Sequence, residues 1–185
     1  MASTYTDLGL ELMFTGENSG TWGDKTNKNL QLIQQGLAGY EAVTVSGTGT
    51  TPLTITDATI SNGRNAVIKL TGTITGNIIV TIPDSTEKLY TIINGTVGVF
   101  TVQFKTVSGT GFTFAAADKG TRLAYSDGTN VVDVNSLFTT INALTLPTTT
   151  GSSGDAIVTD GSGTLSFAQA GISTGKAIAM AIVFG

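Results

Sequence analysis

From Tyr40 to about Val134, apolar and polar residues alternate with a period of two, and Gly, Asn, Asp and Ser break the runs at intervals of about 8–12 residues. Successive side chains of a β-strand point to opposite faces, so a stretch written this way folds as sheet with one face toward a core. Val99–Val107 is the clearest case: Phe100, Val102 and Phe104 fall on one face, and Thr101, Gln103 and Lys105 on the other. The same alternation groups Ala66, Ile68 and Leu70, then Ile78, Val80 and Ile82, then Leu89, Thr91 and Ile93, then Phe112 and Phe114, then Leu123 and Tyr125. Pro83, which has no amide donor, ends its strand. Asn94-Gly95 and Asp127-Gly128 are pairs favoured where a hairpin demands positive φ, and each is read as a turn between two strands. Short strands at this density predict an all-β fold, a β-sandwich or jelly-roll-like domain rather than a parallel sheet. Val-Ser-Gly-Thr-Gly occurs at both 45–49 and 107–111, but the flanks match over no repeat period, so the echo is read as repeated turn chemistry.

Ahead of this region the spacing predicts one helix, roughly Trp22 to Leu37. Thr21 and Asp24 stand in a capping-box arrangement, and Leu30, Ile33 and Leu37 recur at helical intervals. Gly36 and Gly39 are expected to stop the helix, since glycine takes the left-handed conformation without a Cβ clash. Before the helix, Leu8, Leu10, Leu12 and Phe14 alternate as in a strand, giving an arm whose apolar face needs a partner surface. Trp22, the one tryptophan, admits two readings: a staple packed on its own helix, or an exposed anchor for an interface.

Four segments follow. Residues 1–39 form the arm and helix, 40–135 the β-domain, 136–154 a Ser/Thr/Gly-rich linker, and 155–185 a hairpin turning at Asp160–Gly163 followed by a terminal strand. In that strand Ile178, Met180, Ile182 and Phe184 share one face, while Ala177, Ala179, Ala181 and Val183 share the other. A strand apolar on both faces must be covered on both sides, and a position between identical subunits achieves that. A two-turn helix is the competing reading of so short a run.

Composition narrows the function. The 185 residues carry only 12 % charged side chains, against about 25 % in ordinary soluble proteins, and neither cysteine nor histidine. That removes disulfides, thiolate and imidazole metal sites, cysteine nucleophiles and every Ser-His-Asp triad. A net charge of −4 supplies no cationic surface for a phosphate backbone, so nucleic acid is not an expected partner. Ala177–Phe184, the most apolar run, falls far short of the ~20 residues of a membrane helix, and Met1–Phe14, with Asp7 and Glu11 and no cation, is not read as a signal peptide.

Motifs add little chemistry. Gly171–Lys176 ends in Gly-Lys as a P-loop does, yet Ala170 stands where the first glycine belongs and Ala177 where the magnesium-binding hydroxyl belongs. Gly47-Thr48-Gly49 lacks the third glycine of a dinucleotide fingerprint and is read as a loop. Asp57, Asp84, Glu87, Asp118, Asp127 and Asp133 could in principle form a carboxylate pair for glycoside cleavage, but most sit at turn signals where Asp caps backbone amides. No calcium-loop spacing is present. The sequence therefore predicts no catalytic residue, no metal and no cofactor. A threonine-rich sheet face leaves open a surface for host polysaccharide, although threonine is also a plain strand former.

Asn18–Asn27 with Asn29-Leu30 and Gly39–Val43, then Val67–Asn77, Phe100–Gly111, Lys119–Thr121 and Tyr125–Asn130, resemble the tail-fibre and related virion proteins of marine tailed bacteriophages. Asp160–Gly163 and Thr174–Ala181 are similar to the ends of cyanophage-type virion proteins. The resemblance implies a homotrimeric structural protein, made in the host cytoplasm, whose N-terminal part docks on other virion proteins. For a chain of this length it implies a short fibre, a fibre adaptor or a capsid-surface protein. On that reading Trp22, Leu30, Ile33 and Leu37 are the docking residues, and Ile178, Met180, Ile182 and Phe184 hold the oligomer.

Overall fold

The computed structural model describes residues 3–134, 140–141, 144–147, 149–169 and 182–183. The chain divides into two compact units, residues 1–135 and 136–185. With 47 % of residues in strands and 14 % in helix, the protein is mostly β, and its principal sheet is nearly closed.

The first unit opens with a small antiparallel hairpin, β1 (Thr4–Tyr5) with β2 (Glu11–Leu12), followed by helix α1 (Trp22–Ala38). The sheet then comprises β3 (Tyr40–Thr44), β4 (Gly47–Pro52), β5 (Val67–Ile82), β6 (Glu87–Val97), β7 (Val102–Thr106), β8 (Gly111–Phe114), β9 (Thr121–Asp127) and β10 (Val131–Asp133). A 3₁₀ turn, Asn62–Arg64, precedes β5.

The long strand β5 organises the fold. Its first half lies between β3 and β6 and its second half between β4 and β7, and all four pairings are parallel. Val67 pairs with Thr91 and Ile82 with Thr106, so the chain returns alongside itself at a constant offset. A 16-residue strand laid straight would reach about 50 Å, whereas the residues between β5 and β6 span at most ~14 Å. The strand therefore has to curve round to bring its end back near its start. Gly72 lies at this curvature with φ +105°, and a Cβ there would stand 2.5 Å from the Val45 carbonyl oxygen. After β7 the chain reverses: β8 runs antiparallel to β7, β9 to β6 and β10 to β9, and the Val131 amide donates to the Thr110 carbonyl across the closing gap.

This parallel winding differs from the antiparallel sandwich or jelly roll expected. Period two identifies strands and says nothing of their direction, and a short connection reads as a hairpin unless the strand before it bends. Asn94-Gly95 shows the same effect. It is not a turn but part of β6, with Asn94 paired to Leu70 of β5. The Asn94 side chain is buried, donates to the Asp118 carbonyl and accepts from the Thr96 amide and hydroxyl, which satisfies its polar groups inside the sheet. Asp127-Gly128 does turn between β9 and β10, with Asp127 Oδ1 accepting the Thr129 and Asn130 amides.

The core is one cluster built on the inner face of β5: Ile68, Leu70, Ile74, Ile78, Val80 and Ile82. Tyr90 and Ile92 of β6, Val102 and Phe104 of β7, and Phe114 of β8 pack against them. Phe104 stacks edge-on to Tyr90, with ring centroids 5.6 Å apart. The alternation of β7 is as expected, but that of β6 and β9 is inverted. Tyr90, Ile92, Ala124 and Ser126 point inward, while Leu89, Leu123 and Tyr125 face out. The large aromatic ring of Tyr90 decides the register of β6 by filling the core beside Phe104, and β9 follows through the Tyr90–Ala124 pairing.

In the second unit, β11 (Thr140–Ile141) pairs with β12 (Leu144–Thr145), two short antiparallel strands inside the stretch expected to be a linker. Strands β13 (Asp155–Thr159) and β14 (Leu165–Gln169) form the expected hairpin, with Asp160 Oδ1 accepting the Ser162 and Thr164 amides at its turn. Ile178, Met180 and Phe184 lie outside the described residues, as does Gly171–Lys176. Ile182 is described, and its backbone is helical rather than extended, the competing outcome for a run too short to distinguish the two periods.

Candidate docking surface

Helix α1 follows its expected bounds to within a residue, but its two ends are made differently from the expectation. Thr21 occupies the N-cap position without a side-chain cap bond. Gly39 is extended, with φ −68°, so it is not a left-handed stop. Its need for glycine is spatial, since a Cβ would fall 2.3 Å from Asn65 Oδ1 and 2.4 Å from the Gln35 carbonyl oxygen.

Leu32 is the only buried residue of the helix. Trp22 (63 % exposed), Leu30 (58 %), Ile33 and Leu37 (78 %) all face outward. At 100° per residue these four fall within one narrow sector, so they form a single apolar stripe beside the packed face. The structure thus brings the four predicted docking residues together on one exposed surface. Trp22 is no staple buried against its own helix. Leu12 and Phe14 of the arm are also exposed, whereas Leu8 and Leu10 turn toward the helix and the sheet.

With one buried apolar side chain, the helix is fastened chiefly by polar contacts, none of which the sequence singled out. Asn29 clamps the arm strand in both directions: its Oδ1 accepts the Glu11 amide and its Nδ2 donates to the Glu11 carbonyl, each at 2.9 Å. The Glu11 carboxylate meets Lys25 Nζ at 3.0 Å and accepts the Ser3 hydroxyl at 2.8 Å. The hydrogen bond from Lys25 and then that from Ser3 hold the Glu11 carboxyl below its usual range.

Arg64, fully buried, is the hub. Its Nε donates to the Leu8 carbonyl (2.7 Å), Nη1 to Gln35 Oε1 (2.9 Å) and to the Thr59 carbonyl (2.6 Å), and Nη2 to the Thr56 carbonyl (2.7 Å). One guanidinium therefore ties the arm, the helix and the 53–61 loop together, and its planar fork suits it to several acceptors in fixed directions. Burial pulls its affinity for the proton down from the ordinary value. Gly9 must be glycine beside it, because at φ +69° a Cβ would also stand 2.7 Å from Arg64 Nη2. Next to the hub, Lys88 donates to the carbonyls of Arg64 and Asn65 and lies 4.3 Å from the Tyr90 ring centroid. Burial, then the nearby Arg64 charge, lowers its pKa to about 8. Tyr90 donates to the Gly63 carbonyl at 2.8 Å, and burial raises the phenol above its ordinary value. The signal for the hub was available in principle: Arg64 is one of two arginines and follows the turn signal Asn62-Gly63. Its partners, mostly backbone carbonyls, carried none.

Between the arm–helix layer and the sheet runs an open apolar groove of about 540 Å³, walled by Leu8, Leu10, Ile33, Leu37, Leu89 and Leu123 among others. Lys88 is the one charged residue lining it.

Of the carboxylates weighed as catalytic candidates, Asp84, Asp118, Asp127 and Asp133 are engaged in turns and ion pairs. Asp84 accepts the Ser108 amide and hydroxyl, and these bonds lower its pKa, the amide bond most. Asp118 and Asp133 both meet Arg122, at 2.6 Å and 2.5 Å. Among the described residues no group of three or more carboxylates is placed to hold a metal ion. Gly47-Thr48-Gly49 belongs to strand β4, at a register irregularity against β5, rather than to a loop. No helix among the described residues is long and apolar enough to cross a membrane. Comparisons of the chain with protein families, with curated proteins and with solved structures return no match.

Proposed function

We propose that the protein is a structural component of a tailed-phage virion, a short fibre, fibre adaptor or surface appendage that docks on other virion proteins through its N-terminal arm and helix. The observation that carries this reading is the exposed stripe of Trp22, Leu30, Ile33 and Leu37 on a helix held in place by Arg64, Asn29 and Glu11. Four large apolar side chains kept in water on a fixed element serve no folding purpose of their own, and surfaces of that kind mark contact with other proteins. The resemblance of residues 18–43 and of the later segments to marine-phage virion proteins supplies the kind of assembly. The reading assigns the chain assembly rather than catalysis, in the form of a homotrimer with a β-domain projecting from the particle and Ile178, Met180, Ile182 and Phe184 at its subunit contacts.

The test is incorporation. Phage carrying Trp22→Asp with Leu30→Asp in this protein should yield particles that lack it, measured by mass spectrometry of purified virions. Both sites are exposed, so the variant chain should keep its circular dichroism and melting profile. Normal incorporation of the variant would refute the docking role.

A further inference from the structure

The groove between the arm–helix layer and the sheet has apolar walls and one cation. Leu10 of the arm, Ile33 and Leu37 of the helix, and Leu89 and Leu123 of the sheet line it, and Lys88 is its one charged residue. That cation has no counter-ion. The ion pairs among the described residues engage Lys25 and Arg122. Lys88 and the neighbouring Arg64 are left to backbone carbonyls and the Gln35 side chain. Scarcity of carboxylates is not the cause, since 13 Asp and Glu stand against 9 Lys and Arg. Asp57 is near enough to favour the Arg64 charge, whereas the charge that acts on Lys88 is that of Arg64, which opposes its protonation. Two like charges drawn partly out of water carry a cost that an arriving carboxylate relieves. An ammonium has three donors, and two of those of Lys88 go to the Arg64 and Asn65 carbonyls, which leaves one for a ligand.

We infer that this groove receives an apolar segment of the virion protein on which the chain docks, and that the segment carries a carboxylate which pairs with Lys88. The inference rests on the docking reading and adds the partner's chemistry. Two observations choose this occupant. The groove is continuous with the docking stripe, because Ile33 and Leu37 belong to both, so a protein seated on the stripe reaches the groove without a second surface. Charge then selects the segment. A wholly apolar segment would cover Lys88 and leave its ammonium without a counter-ion, and a basic one would bring a third cation beside Arg64. An acidic group is the one that gains there. Glu87 and Asp127, exposed and paired across β6 and β9, repel a carboxylate elsewhere on the outer face and so confine the attraction to the groove.

Zero-length carbodiimide coupling of purified phage particles tests it. The reagent activates a carboxylate, the Lys88 amine displaces the activated group, and the carbodiimide leaves as a urea carrying the carboxylate oxygen. An amide therefore forms only where amine and carboxylate already meet. Mass spectrometry of the digested particles should find Lys88 joined to an Asp or Glu of another virion protein, with apolar residues flanking that Asp or Glu. Lys88→Glu should lower incorporation roughly 10-fold or more, while Lys88→Arg, which keeps the charge, should be incorporated as the wild type is. The coupling uses the wild-type chain, so it does not depend on a variant folding. Particles in which Lys88 stays uncoupled, or is coupled only to carboxylates of this same chain or its copies, would overturn the inference. Lys88→Glu chains incorporated at the wild-type level would overturn it too. These outcomes separate from those of the docking test. If Trp22→Asp with Leu30→Asp removes the chain from particles while Lys88 of the wild type stays uncoupled, docking stands and the assigned occupant of the groove falls. A wild-type chain missing from purified particles would instead remove the docking reading itself, and this inference with it.

Discussion

The wound sheet and the arm–helix layer are held by different physics. The sheet buries aliphatic and aromatic side chains along the inner face of β5 and its neighbours, a non-directional stabilisation that grows with area. The helix buries Leu32 alone and is positioned by directional bonds from Asn29, Gln35 and Lys25 to the arm and to Arg64. A layer fixed in this way can leave its most apolar residues in water, because folding does not require them inside. On the proposed reading, contact with another protein uses the residues that folding left over.

The largest effect should come from the sheet. Phe104→Ala removes a fully buried ring that touches Tyr90 and Phe112 and should cost about 3–5 kcal/mol, lowering the urea midpoint of the whole first unit together. If only the helix loosened while the sheet stayed intact, the contrast between the two regions would be broken.

Next comes the hub. Arg64→Met fills much of the same space but leaves the Leu8, Thr56 and Thr59 carbonyls and Gln35 Oε1 without their donor, at about 2–3 kcal/mol in total if water reaches some of them. Hydrogen exchange should accelerate in residues 3–14 and in the helix while β5 and β7 keep their protection. Uniform loss of protection would mean that Arg64 supports the sheet as well.

Acid should probe the fastening of the arm without mutation. The Glu11 carboxyl is held below its ordinary value of 4.5 by its bonds to Lys25 and Ser3, so its stabilisation is present above that value in the unfolded chain and is lost as the pH falls through the lowered folded value. Below about pH 4.5 the arm should therefore loosen progressively, seen as exchange broadening of the Glu11 and Asn29 amide resonances, in addition to any loosening at Asp84, Asp118 and Asp127 of the sheet region, whose carboxyls are also held low by their bonds. Glu11→Gln should shrink the acid step at these amides, leaving the contribution of Glu17, whose carboxyl is held low by the Phe14 amide.

How far the sequence reported each region follows from the same contrast. Helix α1 and the faces of β7 were readable because their apolar spacing is local. Trp22, Leu30, Ile33 and Leu37 can stay exposed because the helix is held by other residues. The direction of β5 was not readable, since parallel pairing depends on curvature near Gly72 and not on alternation. The outward turn of Leu89, Leu123 and Tyr125 was hidden because both rows of β6 carry large apolar side chains while β9 turns its smaller Ala124 and Ser126 inward, and the choice falls to the size of Tyr90. Arg64 escaped notice because backbone carbonyls accept its protons, and any sequence could place them there.

The smallest effect sharpens the comparison most. Leu37 is among the most hydrophobic side chains in the helix, and a reading by composition alone would expect its replacement by a polar residue to destabilise the fold. At 78 % exposure it has little water left to lose on folding, so Leu37→Asn should change the unfolding free energy by no more than about 0.5 kcal/mol when measured in dilute solution, where chains are separate. The helix-propensity difference between leucine and asparagine falls within the same range. A large loss in dilute solution would show that Leu37 packs within its own chain. The helix would then be held by the same burial as the sheet.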